Sequence, residues 1–171
     1  PIANQILTFI CCLLMLVACE SDDKTSNLPS SPSGIFFRES IIQQAEEGLE
    51  QGELEQVASL FHKAHLQCES RLDTPSQIYF LSRQANTLYA FGAYDSARLL
   101  ANQAKELANQ ISIPEGDSLW VGIWEFEAAY EGQILNNWEK GLELARQSFL
   151  IQLKSLGAVS YTHLTLPTSV I

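Results

Sequence analysis

The chain has 171 residues, 20 of them acidic against 10 basic, a formal net charge of −10 and 46% hydrophobic residues. This balance argues against nucleic acid as a partner, because phosphate backbones demand Lys and Arg, and against docking of the folded part on an anionic lipid surface. Of the four cysteines only Cys68 lies beyond the first 19 residues, so folding rests on packing and not on a disulfide framework.

From Ile6 to Val17 the chain is apolar and closes on Leu16-Val17-Ala18-Cys19. A dozen apolar residues are too few to span a bilayer as a helix but suit the h-region of a signal peptide. The four-residue ending resembles the bacterial lipobox, in which cleavage falls before the cysteine and the cysteine carries lipid. Residues 1–18 are therefore expected to be a lipoprotein signal peptide, truncated at its start, with Cys19 as the lipidated residue. Residues 19–35 are rich in Ser, Pro and acids and read as a disordered tether. As a flexible coil its reach would be roughly 20 Å.

From Phe36 onward the pattern is helical, and six helices are expected over about 36–51, 53–70, 75–91, 94–110, 117–135 and 137–156. The breaks have physical causes. Gly52 and Gly92 can take the left-handed conformation that a helix C-cap requires. Thr74-Pro75 offers a capping oxygen followed by a proline in the first turn. Pro114 interrupts 111–116, and Asp117 can cap the helix that follows. Beyond this, Val159 to Thr168 resembles a translated sequencing adapter, so 159–171 is expected to be a non-native tail and is set aside from the fold.

Within 36–156 a set of small residues recurs at fixed offsets after each bend. Gly52 is followed by Val57, Phe61 and Ala64; Gly92 by Ala97, Ala101 and Ala104; Asn136 by Gly141, Ala145 and Ser148. Each bend also follows or precedes apolar partners, namely Ile41, Ala45 and Leu54 in the first copy, Leu81, Ala85, Leu88 and Tyr94 in the second, and Ala129 and Trp138 in the third. These residues resemble the tetratricopeptide repeat (TPR) family. The resemblance implies an all-α fold in which about three antiparallel helix pairs stack as a right-handed solenoid. Bend-to-bend spacings of 40 and 44 residues exceed the family's usual length of about 34, so longer helices and the loops at 71–74 and 111–116 are expected to absorb the difference.

The resemblance also implies a job. First helices of each pair line a concave groove that holds a protein or peptide. The inward positions carried over are Glu39, Ile42, Glu46 and Leu49, then Tyr79, Ser82, Asn86 and Tyr89, then Phe126, Tyr130 and Gln133. No Lys or Arg stands at the positions with which some members clamp a carboxylate, so the groove is expected to take a basic or apolar segment.

Chemistry is sparse. His62, His65 and Cys68 stand at three-residue steps on one helix but lack a convincing fourth metal ligand. Glu46, Glu47, Glu50, Glu53 and Glu55 surround the first bend and read as a solvated face. Trp120 and Trp124 share a face and read as core between the second and third copies. The expectation is a lipid-anchored interaction scaffold of a Gram-negative envelope, with no cofactor and no catalysis in this fragment. Two alternatives stand beside it. One is the sensory N-terminal region of a larger signalling protein carrying a histidine kinase, DNA-binding or caspase-like peptidase domain. The other, less favoured, is a metal- or solute-binding lipoprotein.

Overall fold

The computed structural model describes residues 32–155, with side chains from Phe37 to Lys154. The expected signal peptide, lipidated Cys19, most of the tether and the C-terminal tail lie outside the described residues. Six helices fill the described part, with no strand among these residues: α1 (Pro32–Glu50), α2 (Leu54–Ser70), α3 (Thr74–Ala90), α4 (Tyr94–Gln110), α5 (Trp120–Ala129) and α6 (Trp138–Ser155). The end of α5 runs on as one π-helical turn over Tyr130–Ile134. Consecutive helices pack against one another, and α3 also packs on α5.

A regularity appears here that the glycines alone did not disclose. Helices α2, α3 and α4 each have 17 residues, and the links before, between and after them share one hydrogen-bonding pattern. Amide N–H groups of Glu53, Asp73, Ala93 and Ile113 donate to the carbonyls of Gly48, Cys68, Leu88 and Ala108 at 2.8–3.0 Å. Each is the long backward bond of a Schellman C-cap, which satisfies a carbonyl at the helix end. The residue just before each of these donors turns left-handed: Gly52 at φ 75°, Leu72 at 58°, Gly92 at 90° and Ser112 at 55°. The bends thus recur every 20 residues. Because the links from 51–53, 71–73 and 91–93 are equally short, the length beyond a 34-residue repeat sits in the helices there, and the 71–74 loop absorbs none of it.

Two local expectations shift. The cap of α3 is Asp73, whose carboxylate accepts from the Ser76 N–H at 3.3 Å, and Thr74 is already helical. The α-helical part of α5 begins at Trp120 and not at 117; the Asp117 carboxylate accepts from the Leu119 N–H at 2.9 Å and closes the turn ahead of it.

The corner between α5 and α6 breaks the 20-residue rule. Asn136 is left-handed at φ 54°, as its amide side chain permits, but the closing bonds are wider. Leu135 N–H donates to Tyr130 C=O at 3.1 Å and Asn137 N–H to Glu131 C=O at 2.8 Å, which leaves a π turn before the bend. A close approach accompanies it. A Cβ on Gly141 would sit 2.9 Å from the Ala128 carbonyl oxygen and 3.1 Å from backbone atoms of Gly132, so the two helices meet backbone to backbone.

Three apolar clusters run through the stack. The first joins α1, α2 and α3 through Ala45, Val57, Phe61, Ala64, Cys68 and Phe80. The second joins α3, α4 and α5 through Ala85, Ala97, Ala101 and Phe126. The third gathers Ile78, Leu81, Ala104, Ala108, Trp120, Ile123 and Ile151. The alanines at 97, 101, 104 and 108 share one face of α4 and let its neighbours approach closely.

Candidate partner-binding face

Helices α1, α3 and α5 contribute the residues at issue, and α3 stands in the middle. Its positions 79, 82, 83, 86 and 89 follow helical spacing, so they lie along one side of the helix. Glycine at 122 allows α5 to close against that side. A Cβ there would meet Ser82 Oγ at 2.6 Å and Ser82 Cβ at 3.0 Å. Asn86 fills the seam: its Nδ2 donates to Gly122 C=O at 2.8 Å and to Ser82 C=O at 3.0 Å. Ser82 Oγ in turn donates to Tyr79 C=O at 2.8 Å. Buried polar groups of this kind are tolerated because their hydrogen bonds are made.

At one end of the seam lies a polar group that the sequence did not point to. The Arg38 guanidinium stands 4.9 Å from the centre of the Tyr79 ring, and that of Arg83 stands 5.3 Å from it. Arg83 also meets Glu125 at 3.4 Å, and Gln152 Nε2 donates to the other Glu125 oxygen at 2.7 Å. Burial pushes the Glu125 carboxyl above the ordinary carboxylate range, against the pull of Arg83 and the Gln152 hydrogen bond. Four helices, α1, α3, α5 and α6, therefore meet at one partly buried group.

At the other end the group is aromatic. Phe126 stands edge-on to Tyr89 and stacks on Tyr130, and Tyr94 flanks Tyr89. The Tyr89 hydroxyl donates to Ala129 C=O at 3.1 Å. Arg98 Nη1 donates to the Tyr130 hydroxyl at 3.4 Å.

The eleven groove positions divide accordingly. Glu39 is exposed, and Ile42, Glu46, Leu49, Tyr79, Tyr89, Tyr130 and Gln133 are half-buried. Ser82, Asn86 and Phe126 are buried in the seam between α3 and α5, where they hold the helices together. Arg38, Arg83 and Glu125 belong to the same strip but stand outside the carried-over set. They were missed because each sits one residue from a position that was read as inward, and only the tertiary packing shows which flank is open.

The other candidates resolve plainly. His62 and His65 hydrogen-bond each other, Nδ1 to Nε2, at 3.1 Å. Burial, with His62 beside it, pulls the His65 imidazole below its ordinary value of 6.5. Cys68 is buried, and its thiol is pushed up to about 11, chiefly by burial. Among the described residues no three His, Cys, Asp or Glu side chains gather as a metal site requires. An open groove between α1 and α2 is lined by Glu47, Glu53, Glu55 and Lys63 among others. Trp120 is core, its Nε1 donating to Ile113 C=O at 3.1 Å and its ring edge-on to Trp124. No described helix is long and apolar enough to cross a membrane.

Comparison with protein-family models, with curated proteins and with solved structures gives no match.

Proposed function

We propose that the helices stack as a TPR-like right-handed solenoid of about three repeats, and that the chain is a lipid-anchored interaction scaffold of a Gram-negative envelope. One observation carries the reading. Nine residues after its bend, Phe61 of α2 meets Phe80 of the following helix α3, with ring centres 6.2 Å apart. Nine residues after the bend at Gly92, Ala101 of α4 packs with Phe126 of α5. The same register used twice supports a repeating unit of two helices, each pair covered by the first helix of the next.

In this reading the side formed by α1, α3 and α5 holds an extended protein segment. Its outward charge is set by Glu39 and Glu46 on α1, while the Arg38 and Arg83 guanidinium groups are engaged by Tyr79 and Arg83 also by Glu125. A basic or apolar segment suits such a surface, on which Glu39 is exposed and Glu46 half-buried. Lipid on Cys19 would keep the scaffold at the membrane, and no catalytic step is part of the proposal.

Photocrosslinking tests it. A photoreactive side chain at Glu39, Glu46 or Gln133 should capture the same partner, whereas one at Asn102 or Glu106, exposed on α4, should not. Replacing Glu46 by Lys should weaken capture at the remaining positions. Equal capture from both sides of the molecule would overturn the proposal. The anchor has its own test: membrane association should be lost in Cys19→Ala and blocked by globomycin.

A further inference from the structure

We infer that the outer face of α6 pairs, antiparallel, with α6 of a second copy of this chain. The face is identified by the repeat register. Six, nine and thirteen residues after their bends, α2 carries Ala58, Phe61 and His65, all buried. At the same offsets in α4, Arg98 meets Tyr130, Ala101 packs with Phe126 and Lys105 pairs with Glu127 at 2.5 Å, each on the following helix α5 or the turn that extends it. In α6 these offsets fall on Leu142, Ala145 and Phe149, and all three are exposed, Leu142 at 74% and Phe149 at 48%.

The face is more apolar than its counterparts. Trp138, Leu142, Ala145, Phe149 and Leu153 follow one another at steps of four, three, four and four residues, the seam spacing of a two-helix contact. All five are exposed, with Leu150 beside them. A contiguous patch of this kind marks an interaction surface.

Charge chooses the occupant. Helix α6 begins with Glu139 in its first turn and ends with Lys154 in its last. An antiparallel partner of the same sequence sets Trp138 against Leu153 and Leu142 against Phe149, with Ala145 near the two-fold axis, and brings Glu139 to the Lys154 end of the other copy. Opposite charges then flank an apolar centre, as a self-complementary two-fold contact needs. Helix α6 also carries Lys140, Arg146 and Lys154 against Glu139 and Glu143, so two acidic chains repel least at this end.

The test uses two differently tagged copies of the full chain expressed together, with a photoreactive side chain replacing Leu142. The expected product joins the two tags, maps to the turn around Phe149 of the other copy, and falls at least tenfold with Phe149→Arg. That variant should keep its helix content, because Phe149 is half exposed and belongs to none of the three apolar clusters. Crosslinks to lipid, to a different protein, or within the same chain to residues 156–171 would each overturn the inference. So would a two-tag product that survives Phe149→Arg undiminished.

Discussion

Helices α3 and α6 have 17 and 18 residues and are covered very differently. Helix α3 is packed from both sides. Ile78, Phe80, Leu81 and Ala85 are sealed, and Gln77, Ser82, Gln84, Asn86 and Thr87 are buried with them. Helix α6 buries Gly141, Ser148 and Ile151 along one side and leaves Leu142, Phe149, Leu150 and Leu153 outside. Apolar content does not explain the contrast. Position does: α3 packs against α2, α4 and α5, whereas α6 packs chiefly on α5 and the turn that extends it.

The contrast can be pressed by mutation. Phe80→Ala should cost about 4 kcal/mol in chemical denaturation, because a sealed aromatic leaves a cavity among Phe61, Tyr79 and Phe37. Phe149→Ala, measured in dilute solution, should change stability by no more than about 0.5 kcal/mol. Comparable losses at the two sites would break the comparison. Gly122→Ala should cost about 2 kcal/mol, since the new methyl group meets Ser82. Adding Ser82→Gly should recover much of that loss, and a strictly additive double variant would show that the seam is not where the strain lies.

Acid offers a third test. His65 on α2 is buried with its proton affinity lowered, so the unfolded chain binds the proton more readily than the folded one. The stability it contributes is present above its ordinary value of 6.5 and is lost as pH falls below that value. The His65 contribution should therefore drop between about pH 7 and about pH 5, and His65→Gln should remove that part of the pH dependence, whereas the raised Glu125 carboxyl contributes in the opposite sense. A small gain is also expected. Leu72 is 90% exposed and holds φ 58°, where a branched side chain is strained; Leu72→Gly should raise stability by between about 0.5 and 1 kcal/mol.

The helices and the two glycine bends were legible because both write themselves locally, one as a 3.6-residue apolar period and the other as a residue that tolerates positive φ. Breaks near Leu72 and Ser112 were marked by Thr74-Pro75 and Pro114, but the left-handed residue itself was not, since neither Leu nor Ser favours positive φ. The π turn at Tyr130–Ile134 was invisible because it accompanies the backbone contact between Gly141 and Gly132, which exists only once the helices are placed. On the candidate face, Tyr79 and Tyr130 are among the positions that the family resemblance implied. The Arg38–Tyr79–Arg83–Glu125 strip could not be read in the same way, because a residue and its neighbour differ by about 100° around a helix and the open flank is decided by tertiary contact.

Amide hydrogen exchange under native conditions, read helix by helix in the Phe149→Arg chain so that α6 stands alone, tests the central claim most directly. If coverage by the following helix sets local stability, α3 should exchange slowest and protection should fall through α5 to α6. Protection of α6 equal to that of α3 would contradict the account.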